Sequence, residues 1–447
     1  MSPIPRKNTK ASPGISRRAF VRRAASCCGG TALLASADLM RAVRLMAEPP
    51  PSPPSTPTRP DVAAIDHDRT LAAAERYLTL APTPLTSLAC PRSPGTAHDY
   101  YSEAEPKTDS ANSTSSPPFT AHRDAVFTLG LAVPALTAAY VLTGEERYAT
   151  YAALHLRAWF VDLATRMTPR LDYGQVVLAP GNPSLQDDAT TAPVPVPHPG
   201  GRFEGILETL PLVEIAIAIP FLAASSALSG NDLSAIHAWF ATYLRWLIEP
   251  QDSGPRLPAL ARDQKNHHGT SWLLQASAYT TLAVSPGDAA RAEDTALGEL
   301  RHRFRTVTLR AQISPNGSFP HELPLPAPYR DSLFNLDMLA GICELLSTRF
   351  DSVWAYELED GPGMRSAIAY HFPFIADRAL WPFRSDATHF TELPGRRASL
   401  LLTARAYQRP EYAALWKKLP PDPASPDILR TMPIHQPLLW IHQPARI

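Results

Sequence analysis

The stretch Lys265-Asn266-His267-His268-Gly269-Thr270-Ser271-Trp272-Leu273-Leu274-Gln275 sets an ammonium, an amide, two imidazoles and an indole directly ahead of an apolar helical run. Side chains that open a helix project from a fixed end, beside unsatisfied backbone N–H groups and the positive pole of the dipole. Such a place holds a carboxylate and keeps an imidazole neutral. One reading is a catalytic Asn/His pair at a helix start. The other is a hydrated helix entry with a packed histidine, because the spacing alone carries no mechanism.

Outward from this stretch the chain reads as one helix after another. Apolar periodicity predicts helices over 65–80, 123–142, 145–163, 208–228 and 233–248 on its N-terminal side. Thr143-Gly144 supplies a stop signal, and Asp232 is the expected cap of the helix it precedes. On the other side come 271–283, 289–305, 332–350, 364–376, 396–407 and 411–419. Trp159, Trp239 and Trp246 lie on apolar helix faces and read as core. The run 108–118 is a solvated loop, and the long loop 176–201 has the length of a lid or an insertion. A proline-rich tail, 421–447, is expected to wrap the surface. Successive antiparallel helix pairs with few strand signals predict an all-α fold in one domain over 61–420. Its form is an incomplete (α/α) toroid of helix hairpins, with loops gathered at one end into a cleft.

Charge and cysteine usage narrow the function classes. Lys+Arg and Asp+Glu number 42 each, yet the first 60 residues carry ten basic side chains against Asp38 and Glu48. The body therefore has an acidic excess, which argues against nucleic acid as a partner. Of the four cysteines, Cys27 and Cys28 fall in a leader, so only Cys90 and Cys343 are left to pair or to stay free. No spacing suits a metal, and no cofactor motif occurs. The leader carries Ser16-Arg17-Arg18-Ala19-Phe20-Val21-Arg22, which resembles the twin-arginine export signature, ahead of a weakly apolar run. Ala35-Ser36-Ala37 offers a cleavage site, giving a signal peptide over 1–37 and a proline-rich linker over 38–60. A periplasmic or secreted location follows. No run of 18 apolar residues is expected beyond the leader, so no membrane span is expected in the mature chain.

Seven segments, in order over about residues 90–350, resemble the alginate lyase family. They are His98-Asp99-Tyr100-Tyr101-Ser102-Glu103, Phe119-Thr120-Ala121-His122-Arg123-Asp124, Trp159-Phe160-Val161-Asp162 with Thr165-Arg166-Met167, Leu171-Asp172-Tyr173-Gly174-Gln175, Pro211-Leu212-Val213-Glu214, the Lys265 stretch, and Ser332-Leu333-Phe334-Asn335-Leu336. The resemblance implies the same (α/α) toroid, no cofactor, and β-elimination on an acidic polysaccharide or oligosaccharide. One group neutralises the uronate carboxylate, a base takes the C5 proton, and an acid protonates the departing C4 oxygen.

The family's central motif reads Lys-Asn-Asn-His-Gly, with the second Asn neutralising and the His assisting proton removal. Here Asn266 and His268 keep the first Asn and the His, and His267 stands at the second Asn. The family's Arg and Tyr follow a Glu-Leu pair. After Glu322-Leu323 those positions fall on Leu325 and on Asp331 or Ser332, with Tyr329 and Arg330 close by on a stiff proline loop. The implied catalytic set is His268, His267, Asn266, Tyr329 and Arg330. The implied substrate-binding set is His122, Arg123, Tyr101, Tyr173, Gln175, Lys265 and Trp272. Asn266 reads equally as a helix cap, and Tyr329 as a surface tyrosine. Two other functions stay open: a relative that binds glycan without cleaving it, and a hydrolase using Asp331 with Glu322 or Glu103.

Overall fold

The computed structural model describes residues 60–104, 117–177, 200–249, 257–283 and 289–442. The leader, nearly all of the linker, and most of the loops expected over 108–118 and 176–201 lie outside these residues. The chain separates into 1–58 and 59–447, and all of the described structure belongs to the second unit.

The body is built from α1 (His67–Tyr77), β1 (Tyr101–Glu103), α2 (Ala121–Thr143), α3 (Glu146–Leu156), β2 (Tyr173–Val176), α4 (Leu212–Leu222) and α5 (Gly230–Ile248). There follow α6 (Leu257–Arg262), α7 (His267–Ala283), α8 (Ala289–Arg303), α9 (Pro328–Leu346), α10 (Met364–Ala376), α11 (Ala398–Tyr407) and α12 (Pro410–Lys418). Helices α2, α4, α7, α9 and α11 pack one beside the next as an inner layer, and α1, α3, α5, α8, α10 and α12 cover them. This is the (α/α) toroid.

Sequence explains which helix goes where. Nearly every described side chain of α4, α7 and α9 is buried, as a doubly covered position requires. Two segments, Ala121–Thr143 and Phe203–Leu222, are long and apolar enough to cross a membrane by composition. This corrects the expectation that no such run exists. Both are inner helices, mostly buried within the ring, and that position accounts for their composition. Gly130 on α2 permits the close approach of α4, since a Cβ there would lie 2.3 Å from Pro211.

Helix ends follow local chemistry. Gly144 closes α2 at φ 70° with its N–H on the Tyr140 carbonyl, as expected. Asp232 is not the cap of α5. Ser229 is, and Asp232 three residues on returns a hydrogen bond to the Ser229 N–H, forming a capping box. α7 and α9 each begin four residues earlier than their apolar pattern suggests. α9 opens with Pro328, whose missing N–H costs nothing there. Tyr329, Arg330 and Asp331 therefore sit in a helical first turn and not on a rigid loop.

The tail corrects a second expectation. Ile428, Met432, Ile434, Leu438, Leu439 and Trp440 are buried, so residues 428–440 plug the ring and do not wrap its surface. Glu214 on α4 accepts hydrogen bonds from the His435 N–H (2.8 Å), the Gln436 N–H (3.0 Å) and the Trp440 indole (3.0 Å). The Trp440 ring reaches α9, where a Cβ on Gly341 would lie 3.3 Å from it. Cys90 and Cys343 are both free, so no disulfide links them. The only sheet among the described residues is the parallel pair β1–β2, with Tyr101 opposite Tyr173.

Candidate active site

The inner helices alternate with outer ones, so they run in one direction and their N-termini share one end of the ring. At that end α7 opens on Asn266. Its side-chain oxygen accepts from the His268 N–H at 3.2 Å, and its carbonyl accepts from Gly269, Thr270 and the Gln312 amide. Asn266 is therefore engaged as a helix cap. Gly269 lets the chain fold back tightly, because a Cβ there would lie 2.1 Å from the Gln264 carbonyl oxygen. That close approach fixes the direction in which both imidazoles leave the helix.

His267 is clamped to Glu322. Its backbone N–H donates to one carboxylate oxygen at 2.6 Å, and Nδ1 donates to the other at 2.8 Å. Glu322 is wholly buried, whereas the His267 side chain keeps 10% of its surface open. Asp331, on the first turn of α9, lies beside them and is paired with Arg330 at 2.9 Å. Burial opposes a charge on His267, but the Glu322 hydrogen bond and charge outweigh it and raise its pKa. Burial pushes Glu322 up as well.

His268 is the opposite case. Its ring lies 4.3 Å from the His267 ring and edge-on to Phe203. Burial, then His267 and Arg202, push its pKa down to about 3, so the imidazole is neutral. A neutral imidazole accepts a proton, and the opposite shift on its neighbour favours the donor form. The group His267, Glu322 and Asp331 has metal-like proximity. However, Glu322 gives both oxygens to His267 and Asp331 is paired with Arg330, so the donor set forms a proton network and does not suit an ion. The same commitments count against Glu322 and Asp331 as a hydrolase pair. Glu103, the other candidate, is tied to Arg92, Tyr101 and Phe119.

Several expected site residues lie elsewhere. Tyr329 is buried between Trp381 and Phe390, with its hydroxyl donated to the Phe374 carbonyl at 2.8 Å. Successive residues of a helix point about 100° apart, so the turn that aims Arg330 and Asp331 at the entrance sends Tyr329 into the core. It cannot serve as the acid. His122 is buried, accepting from the Tyr101 N–H and donating to the Leu88 carbonyl. Tyr101 is buried, with its hydroxyl on Glu103. Trp272 is core, with its indole on the Leu247 carbonyl. These three hold the scaffold and do not line a cleft. Lys265 is exposed and Tyr173 half-buried beside Gly95.

Arg123 and Gln175 do line a cavity of about 180 Å³, together with Glu208, Glu214, Arg430 and His435. Gln175 is held at φ 55°, with its N–H on the Ser102 hydroxyl and its amide 3.3 Å from Glu208. Such a left-handed non-glycine residue costs about 1 kcal/mol and persists only where its surroundings enforce it. Glu208 also accepts from Tyr100 at 2.9 Å and from Ser102, and burial raises its pKa. The sequence reading did not single out Glu208, Arg430, His435 or Arg202. Their partners lie far off along the chain, and no local pattern marks them.

Comparison with known proteins is in keeping with this architecture. An alginate lyase from Bacteroides ovatus superposes with a TM-score of 0.66 at 22% identity, over 90% of this chain and 97% of that one. Alginate lyase A1-III from Sphingomonas species A1 aligns at 15% identity and a TM-score of 0.47, over 80% and 88% of the two chains. No curated protein sequence matches. The alginate lyase family model covers residues 87–381, and the chain belongs to that family.

Proposed function

We propose that the protein is an exported polysaccharide lyase that cleaves an acidic, uronate-containing polysaccharide by β-elimination at the entrance of α7. The observation that carries this reading is the His268 ring at a helix mouth, 4.3 Å from the His267 ring and with Arg202 and Arg330 nearby. A uronate carboxylate drawn to those cations has its charge offset, which makes the C5 proton more acidic. His268 then takes that proton. Arg123 and Gln175, polar groups on the wall of the cavity, are suited to sugar hydroxyls and carboxylates. The twin-arginine leader supports delivery to the periplasm or beyond, with removal after Ala37. Replacing Arg17 and Arg18 by lysine should hold the protein in the cytoplasm.

A second reading keeps one specific observation in its favour. The buried Tyr329 hydroxyl leaves no phenol on α9 to protonate the leaving oxygen, as a glycan-binding relative that does not cleave would show. Incubation with a panel of uronate polymers separates the two. The lyase reading expects new ultraviolet absorbance from a 4,5-unsaturated uronide, lost in His268→Ala. Binding without any absorbance rise would establish the second reading.

A further inference from the structure

With Tyr329 turned away, the elimination lacks an acid, and the group beside the base is His267. We propose that His267 is the general acid that protonates the departing C4 oxygen, and that Glu322 is the positioning residue that fixes its tautomer and orientation. This rests on the lyase reading above and names the residue that completes it.

The geometry carries the assignment. A carboxylate only accepts, so the Nδ1–Glu322 bond of 2.8 Å places a proton on Nδ1, leaving Nε2 as the exchanging nitrogen. The second Glu322 oxygen holds the His267 backbone N–H at 2.6 Å, so ring and main chain are pinned to one carboxylate. His267 is faced by Glu322 from the loop before α9, by Asp331 and Arg330 from α9, and by His268 from its own helix; Arg202 lies beside His268. Of these, the two carboxylates favour its protonation, while Arg330 opposes it. Adjacent imidazoles whose surroundings push them in opposite directions divide into acid and base.

The step balances as follows. His268 takes the C5 proton, the C5–H electron pair becomes the C4–C5 double bond, and the C4–O bond breaks. The departing oxygen takes the proton from His267 Nε2. One proton enters one imidazole and one leaves the other, and exchange with solvent restores both. Because the rings stem from consecutive residues and lie 4.3 Å apart, they address one face of the sugar. The C5–H and C4–O bonds must then be cis, as in a mannuronate chain, and not trans, as in a guluronate chain.

The experiment compares wild type, His267→Asn, Glu322→Gln and Glu322→Asp on polymannuronate and polyguluronate across pH. His267→Asn should lower kcat by roughly 10²–10⁴-fold, with KM little changed, and a uronide carrying an aryl leaving group at C4 should recover most of the rate. Glu322→Gln should move the alkaline limb of kcat to lower pH, and Glu322→Asp should move it back, a pattern that a merely structural carboxylate would not give. Elimination that survives His267→Asn with an unmoved alkaline limb, or that is faster on polyguluronate, overturns the assignment and leaves the lyase reading standing. No elimination by wild type on any uronide overturns both.

Discussion

Two buried glutamates, Glu214 on α4 and Glu322 on the loop before α9, do different work. Glu214 accepts from two backbone N–H groups and an indole, none of which ionises at ordinary pH. It anchors the C-terminal plug. Glu322 accepts from one backbone N–H and one imidazole, and that imidazole keeps a second nitrogen outside the bond. Burial raises the pKa of both. The donor set, and not the burial, separates an architectural carboxylate from one placed to act in chemistry.

The sharpest way to break this contrast is Glu214→Ala. It strands three donors at about 1–3 kcal/mol each, so thermal unfolding should show a loss of several kcal/mol. Any fall in activity should follow the unfolded fraction. His268→Ala should do the reverse, cutting elimination roughly 100-fold or more while the melting temperature hardly moves. An active His268→Ala enzyme would remove the base from the account.

A pH series sharpens the comparison further. Burial lifts Glu214 to about 7, against an ordinary value of 4.5. A carboxyl with a raised pKa contributes its stability below the unfolded value and loses it as pH rises through the folded one. Stability should therefore fall between about pH 4.5 and 7 by about 3 kcal/mol at most, and Glu214→Gln should flatten that fall in denaturant titrations. The smallest effect is expected of Tyr329→Phe. It removes one hydrogen bond, worth about 1 kcal/mol, and kcat should be unchanged. A collapse of kcat in that variant would return the phenol to the reaction.

Much of the fold was legible because helical periodicity is a local signal. The positions of α2, α10 and α11 follow from apolar spacing and from Gly144. The starts of α7 and α9 were not found that way, since His267-His268-Gly269 and Pro328-Tyr329-Arg330 show no apolar rhythm, although proline is a known opening residue. That four-residue error decided the fate of Tyr329. On a loop it could turn to the entrance, but in a helical first turn its direction is set by Arg330 and Asp331. The closeness of His268 and Arg330 around His267 was legible from the motif and its surroundings. The clamp on His267 was not, because Glu322 lies 55 residues away and only the packing of the loop before α9 against α7 joins them. The tail misled for a similar reason: prolines suggest exposure, whereas Leu438, Leu439 and Trp440 fill the ring.

The most direct test of elimination at the α7 entrance is the mass of what the enzyme releases from a uronate polymer. The account predicts fragments that each carry one unsaturated end and are lighter by one water than hydrolysis products of the same length, formed by wild type and not by His268→Ala. Fragments of full hydrolytic mass, or release of the lighter fragments by His268→Ala at the wild-type rate, would contradict it.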